Sequence, residues 1–134
     1  SQKSPGEPIE NEADNGLSNR IGTIAMARLS DIDTASNQFF INTANNARLD
    51  HGPKSCSREE EAKIAALRAR GLMKPKRCKS FGYAVFGEVI RGFEVVQRIE
   101  SLETGMRNGF SDVPLEAVKI ITIRRVAHEK VFNP

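Results

Sequence analysis

The most distinctive combination of side chains is the run Ser-Asn-Gln-Phe-Phe-Ile-Asn, which ends at Asn42. Two aromatic residues and a β-branched residue between polar ends predict a strand. Because side chains alternate across a strand, Gln38, Phe40 and Asn42 share one face, while Phe39 and Ile41 share the other. We expect Phe39 and Ile41 to be core. The first face combines an apolar ring with an amide that can donate and accept hydrogen bonds, which is suitable for binding a ligand. An equally good interpretation is that Phe40 is a core residue and Gln38 is a solvated residue at the edge.

The strand that contains Gln38 and Phe40 needs neighbouring strands to pair with it in a sheet. Residues 20–29 predict a strand, and so do residues 81–91, in which Gly82 and Gly87 indicate bends or a close approach of backbones. The Val- and Ile-rich residues 117–126 predict a closing strand.

The remaining stretches predict helices and loops. Residues 92–102 carry apolar side chains at helical spacing and predict a short amphipathic helix. The polar residues before position 20 predict a surface loop anchored by Ile9. Residues 43–50 are irregular with one short helical turn, and the Gly- and Asn-containing residues 103–114 predict a loop.

Residues 52–80 behave as a separate insertion. Ser57 followed three positions later by Glu60 fits a helix-capping box, and residues 59–70 are strong helix formers ending before a glycine. We favour a disulfide between Cys56 and Cys78 over two free thiols; it would close the base of the insertion and stabilise by roughly 3 kcal/mol. These two cysteines with His51 lack the C-x-x-C spacing of a zinc site.

Composition indicates a soluble globular protein, and 134 residues predict a single domain over residues 1–134, with 39% hydrophobic and 28% charged residues. The overall charge of +3 is uneven: residues 53–80 contain nine Lys or Arg and three Glu, so the rest of the chain carries −3. Such a basic segment can attract nucleic acid or an anionic surface, although it is more often a solvated face.

Three motifs together resemble the cyclophilin family of peptidyl-prolyl cis–trans isomerases. They are Gly-Thr-Ile-Ala-Met-Ala-Arg ending at Arg28, Asn-Gln-Phe-Phe-Ile ending at Ile41, and Phe-Gly-Tyr-Ala-Val-Phe-Gly ending at Gly87. The run Leu-Asp-His-Gly that ends at Gly52 is similar to the bacterial branch. The resemblance covers nearly the whole chain except the insertion.

The family fold that this resemblance implies is mainly β: a closed antiparallel β-barrel of eight strands capped by two helices. The present sequence supplies about five strands, one capping helix and a helical insertion. We therefore expect an incomplete barrel without the first strands, the first helix and the Phe-His-Arg motif of the family. Open barrel edges would favour self-association.

The resemblance also assigns roles to residues of this chain. It implies catalytic roles for Gln38, which would bond the substrate backbone, and for Phe40, which with Met26 and Leu49 would form a proline pocket. The other residues that it implies in substrate binding are Ala27, Arg28, Thr34, Asn37 and Tyr83. Arg48 stands where many members carry an aromatic residue that contacts cyclosporin, so we expect weak cyclosporin binding.

The sequence therefore predicts a prolyl isomerase that assists folding by binding proline-containing peptides or unfolded proteins, with very low activity in this chain. The resemblance implies no cofactor and no metal, and no apolar run in the sequence approaches the roughly 18–20 residues that a membrane helix needs. The alternative is a non-catalytic module that binds a peptide or partner through the basic insertion; nucleic acid is a weaker candidate because no aromatic residue interleaves with the basic ones. A disulfide would slightly favour a bacterial periplasm over the cytoplasm.

Overall fold

The computed structural model describes residues 4–52, 57–71 and 81–126. The chain divides into two compact units, Ser1–Gln97 and Arg98–Pro134. No helix within the described ranges is long and apolar enough to cross a membrane. The assignment of residues 1–134 to a single domain stays a prediction.

A three-stranded antiparallel sheet forms the centre of the first unit. Its strands are β1 (Thr23–Met26), β2 (Phe39–Ile41) and β3 (Val85–Glu88), in the order β2-β1-β3. Each strand lies within a segment that the sequence predicts as a strand. The pairing of β1 with β3 shifts register between Ile24 and Ala25, so this part of the sheet carries a bulge.

The register separates the two faces of the sheet. Ala25 is opposite Phe40 on β2 and Val85 on β3, so these three side chains share one face. Ala25 is fully buried and Val85 nearly so, as expected for the central strand and its partner. Met26 and Phe39 are register partners on the opposite face.

One core prediction is wrong on that opposite face. Phe39 is 42% exposed, and Ile41 is only half-buried. β2 is an edge strand, so its side chains have a neighbouring strand on one side only. The hydrophobic core cluster lies elsewhere and consists of Ala13, Ile32 and Phe81 with the half-buried Ala84 against it.

The loops of the first unit are fastened by backbone hydrogen bonds. Ile9 is exposed, but its N–H donates to the carbonyl of Ala35 at 2.8 Å, which anchors the preceding loop to the turn before β2. A short 3₁₀ helix, Ala47–Leu49, follows β2. This element confirms the predicted helical turn in residues 43–50.

The described ranges contain two α-helices, and both confirm sequence predictions. Helix α1 is Arg58–Ala69, and helix α2 is Phe93–Glu100. The capping box of α1 is complete: the Glu60 N–H donates to the Ser57 hydroxyl at 3.1 Å, and the Ser57 N–H donates to a Glu60 carboxylate oxygen at 3.0 Å.

The second unit contains a hairpin where the sequence analysis expected a loop. Strands β4 (Thr104–Arg107) and β5 (Phe110–Pro114) pair antiparallel. The turn residues Asn108 and Gly109 have φ angles of 52° and 80°, the left-handed values that a tight hairpin turn requires. Asn-Gly between two short strands is a strong hairpin signal, and the loop prediction for residues 103–114 overlooked it.

The predicted closing strand is also wrong. Residues 117–126 have no regular secondary structure, and Ile121 is 92% exposed. β-branched composition favours an extended backbone, but a strand needs a partner to receive its hydrogen bonds. No strand in the described ranges pairs with these residues.

The fold is therefore mainly β with antiparallel sheets and two helices, as predicted. The described strands form a three-stranded sheet and a separate hairpin and do not close a barrel.

Candidate functional site

A buried network of asparagines supports one end of the sheet. Asn19 and Asn42 are 0% and 1% exposed. The Asn42 side-chain amide donates to the Asn19 side-chain oxygen at 3.1 Å and to the Thr23 hydroxyl at 2.9 Å. The Asn46 amide in turn donates to the Asn42 side-chain oxygen at 2.8 Å. Because buried amides are costly without partners, this network fixes the 3₁₀ helix relative to β1 and β2.

The network continues to the segment that carries Leu49 and Tyr83. The Asn19 side-chain amide donates to the carbonyls of Tyr83 at 3.1 Å and Leu49 at 3.3 Å, and to an Asp50 carboxylate oxygen at 3.0 Å. One amide thus contacts both chain segments on either side of the insertion.

Asp50 is the charged member of the network. Burial raises the pKa of its carboxyl, but hydrogen bonds donated by the Asn19 backbone, the Ser18 hydroxyl and the Asn19 amide outweigh this effect and lower the pKa below 3.8. The Asn19 N–H lies 2.6 Å from one carboxylate oxygen, and the Ser18 hydroxyl lies 2.5 Å from the other. The carboxylate is thereby held in its charged form.

Gly82 brings the same two segments into backbone contact. Its φ angle is +108°, and a Cβ there would lie 2.8 Å from the His51 nitrogen and 3.0 Å from the Leu49 oxygen. The Tyr83 N–H next to it donates to the Leu49 carbonyl at 2.9 Å. Glycine is required because no side chain fits between these backbones, which confirms the predicted close approach at this position.

An aromatic pair stands beside this junction. The rings of Phe40 and Tyr83 pack edge to face, with centroids 5.8 Å apart and planes at 77°. The Arg28 guanidinium lies over the Tyr83 ring, 4.5 Å from its centroid, in a cation–π contact. Its nitrogens also donate to the carbonyls of Gly82 at 3.2 Å and Leu29 at 2.9 Å. These contacts fix the Arg28 guanidinium against the Tyr83 ring.

These residues surround an open groove of about 560 Å³. Its lining residues come from the end of β1 and the two segments that flank the insertion: Arg28, Leu29, Ser30, Arg48, Leu49, Gly82 and Tyr83. Three residues of the predicted substrate site, Arg28, Leu49 and Tyr83, therefore line one groove. Phe40 contacts it through Tyr83.

Other predicted site residues lie around the groove without lining it. The Ala27 N–H donates to the Gln38 carbonyl at 3.0 Å, so these two residues extend the β1–β2 pairing, and the Gln38 side chain is exposed. Met26 lines a second cavity of about 360 Å³ with Ala84 and Phe86. The structure thus does not bring Met26 into the groove lined by Leu49 and Tyr83.

Thr34 and Asn37 belong to the turn before β2. The Thr34 hydroxyl accepts the Leu29 N–H at 2.9 Å and donates to the Asp31 carbonyl at 2.5 Å, which shapes the loop that carries Leu29. Asn37 is exposed, and its side-chain oxygen accepts the Ser36 hydroxyl at 3.4 Å. Thr34 therefore acts on the groove through the loop backbone.

The two ends of the insertion meet beside the groove. His51 Nδ1 lies 2.8 Å from the Phe81 carbonyl, an acceptor, so this nitrogen carries the proton. The His51 and Phe81 rings also lie against each other, with centroids 4.3 Å apart and planes tilted by 51°. Cys56 and Cys78 lie outside the described residues, so their disulfide stays a prediction.

The groove offers binding groups and no metal ligands. Within the described ranges, no three His, Cys, Asp or Glu side chains cluster in a way that could hold a metal ion. Its described lining combines the apolar side chains of Leu29 and Leu49, the Tyr83 ring and the Arg28 guanidinium held over that ring.

The groups that hold this site together carry little signal in the sequence. Sequence reasoning assigns no role to Asn19 or Asp50 and places Asn42 only on the strand face of Phe40. That shared face is a usable signal, because a buried asparagine on a strand needs hydrogen-bond partners. The contacts of Asn19 with Leu49, Asp50 and Tyr83 join residues 30 to 64 positions apart and leave no pattern in the sequence.

Comparison with known proteins identifies the family. The family model described as "Cyclophilin type peptidyl-prolyl cis-trans isomerase/CLD" matches residues 1–125. Peptidyl-prolyl cis-trans isomerase A of Dickeya dadantii is 40% identical over 119 residues, which cover 89% of this chain and 50% of that protein. Peptidyl-prolyl cis-trans isomerase cyp18 of Streptomyces antibioticus is 41% identical over 119 residues, which cover 89% and 58%.

A third relative gives the same picture. Peptidyl-prolyl cis-trans isomerase B of Escherichia coli is 37% identical over 122 residues, which cover 91% of this chain and 61% of the relative. The chain thus spans about half to three fifths of the length of these relatives. With a family model that matches most of its length, the chain belongs to the cyclophilin-type peptidyl-prolyl cis–trans isomerase family.

Proposed function

We propose that the groove binds the proline and flanking backbone of X–Pro peptides, and that the chain contributes to peptidyl-prolyl cis–trans isomerisation. The proposal is supported by the names of its relatives and by the shape and lining of the groove. Extended or unfolded proteins with accessible prolines are the substrates that fit an open groove of this kind.

The reaction sets modest chemical demands. Rotation about an X–Pro amide has a barrier of about 18–20 kcal/mol, and no bond breaks. A catalyst must bind the twisted amide more tightly than the planar one. An apolar pocket for the proline ring and hydrogen bonds to the adjacent backbone meet this requirement.

The single observation that carries the proposal is that Leu49 and Tyr83 line the groove together, with the Phe40 ring packed on the Tyr83 ring. Leu49 and Tyr83 are joined by a 2.9 Å backbone hydrogen bond, and the Phe40 ring packs on the Tyr83 ring. In this arrangement the proline ring contacts Leu49 and the Tyr83 ring, which Phe40 supports. Gln38, just before β2, is exposed, and we place its amide against the peptide backbone.

We further propose that isomerisation by this chain alone is slow. The sequence contains no Phe-His-Arg triplet, the motif that carries the catalytic arginine of the family. One preorganised donor contributes about a hundredfold or more to a rate. Adding a segment with this motif from a relative should therefore raise the rate by about that factor, with little effect on the affinity for proline peptides.

Exchange NMR with a proline-containing tetrapeptide tests binding and isomerisation together. Phe40→Leu removes the ring that packs on Tyr83, so the Tyr83 ring is less fixed in the wall of the groove and peptide binding should weaken. Phe110→Leu is the matched control, because Phe110 is exposed on the hairpin of the other unit. Absence of peptide binding, or equal binding by the two variants, would refute the proposal.

The alternative function is binding of a partner through the insertion, and the exposure of helix α1 supports it. The side chains of α1 are mostly exposed, so its surface is accessible. Replacing residues 53–80 by a short Gly-Ser linker would abolish partner binding by the insertion and leave proline-peptide binding in the groove. Loss of proline-peptide binding on this replacement would favour the alternative.

A further inference from the structure

The groove carries an uneven charge. Two of its described lining residues are arginines, Arg28 and Arg48, and none of the lining residues within the described ranges carries a carboxylate. Proline and its backbone are uncharged, so the proposed proline pocket does not account for this charge.

The two arginines differ in how they are held. Arg28 is engaged with the Tyr83 ring and with the carbonyls of Gly82 and Leu29. Arg48 is in the last turn of the 3₁₀ helix, and its side chain is exposed. No carboxylate in the described part of the chain lies within ion-pair distance of Arg48.

The acidic residue closest to Arg48 in the chain has other partners. Asp50, two positions after Arg48, accepts hydrogen bonds from Ser18 and Asn19. These hydrogen bonds hold the Asp50 carboxylate, and the exposed Arg48 side chain is accessible to a ligand.

We propose that the groove prefers proline peptides with a carboxylate side chain next to the proline, and that Arg48 determines this preference. The inference rests on the proposed function, because it names the substrate class of the same groove. Leu49, the neighbour of Arg48, is the residue that we place against the proline ring. An acidic side chain adjacent to that proline would therefore reach Arg48, whose planar guanidinium binds carboxylates through two parallel hydrogen bonds.

The effect should be small and dependent on salt. Exposed ion pairs between arginine and a carboxylate typically change affinity by roughly two- to fivefold. Because the pair is accessible to water, added salt should reduce the preference.

NMR titration of the 134-residue chain with matched peptides tests this inference. The set contains Ala-Ala-Pro-Ala as the neutral reference and versions with Glu, Gln or Lys immediately before or after the proline. We expect a Glu peptide to bind roughly two- to fivefold more tightly than its Gln counterpart, and the Lys peptide to bind most weakly. Arg48→Gln should reduce the ratio of Glu to Gln affinity to about one, as should 0.5 M salt.

Arg91→Gln is the control for net charge. Arg91 is exposed, is not among the lining residues of the groove, and its replacement removes the same unit of charge. The Glu to Gln ratio should therefore persist in Arg91→Gln. An equal drop in both variants would show a general attraction of the basic protein and would overturn the assignment to Arg48.

The outcomes separate this inference from the proposed function. Binding of all peptides with equal affinity would overturn the acidic preference and leave proline binding intact. Binding of none, including the neutral reference, would overturn both.

Discussion

Gly82→Ala should disrupt the junction that builds the groove. An alanine Cβ would lie 2.8 Å from the His51 nitrogen and 3.0 Å from both the Asp50 carbonyl carbon and the Leu49 oxygen. All three contacts are backbone atoms, which cannot move aside as a flexible side chain can. The residue also has φ +108°, where an alanine is strained.

The expected magnitude follows from these two effects. Backbone strain costs about 1–3 kcal/mol, and overpacking costs a further 1–3 kcal/mol. The free energy of unfolding should therefore fall by roughly 2–6 kcal/mol, a large share of the 5–15 kcal/mol of a typical domain. Gly22→Ala is the matched control, because Gly22 has φ +88° but open space around its Cβ position. Gly22→Ala introduces backbone strain without overpacking, so it should lower the free energy of unfolding by about 1–3 kcal/mol less than Gly82→Ala does.

Urea unfolding followed by circular dichroism and tyrosine fluorescence measures both variants. Tyr83 is the single tyrosine of the chain, which has no tryptophan, so its emission reports directly on the groove. Gly87→Ala adds a second control, with neither a positive φ nor a close contact. Equal destabilisation by Gly82→Ala and Gly22→Ala would refute the argument that close backbone contact at Gly82 builds the site.

Three further predictions concern the surroundings of the groove. The pKa of Asp50 is lowered in the folded protein, so its carboxylate contributes stability above pH 3.8 that is lost as the pH falls through the folded pKa. Asp50→Asn should therefore lower the free energy of unfolding at neutral pH and weaken its dependence on acid pH, as measured by urea titrations. Replacing residues 53–80 by a short linker should leave the melting temperature nearly unchanged under reducing conditions, because the contact between His51 and Phe81 already closes the base of the insertion. Loss of the cooperative melt would contradict this prediction. Alkylation of unfolded, unreduced protein followed by mass spectrometry should detect no free thiol at Cys56 or Cys78, and two labels would exclude the disulfide.

The local elements could be predicted because their signals are local. Ser57 and Glu60 lie three positions apart, so the capping box and α1 were readable from the sequence. The strands β1 and β2 follow from alternating side chains. The hairpin turn at Asn108 and Gly109 also has a local signal, because Asn-Gly favours the left-handed φ angles of such a turn, although residues 103–114 were predicted as a loop.

The failures have a different physical origin. Residues 117–126 have the composition of a strand, but strand formation depends on hydrogen bonds to a partner and not on composition alone. Phe39 has the character of a core residue, but burial depends on what packs against an edge strand. Both properties require information from distant parts of the chain.

The sequence by itself determined the family and the main strands and helices, and it placed Leu49 and Tyr83 together in a candidate site whose substrate role stays a prediction. Only the tertiary structure decided that Asn19 joins Leu49 to Tyr83, that Met26 lines a separate cavity, and that the Arg28 guanidinium lies over the Tyr83 ring. The reason is that propensity and spacing act over a few residues, whereas a binding groove is formed by contacts between segments far apart in the chain.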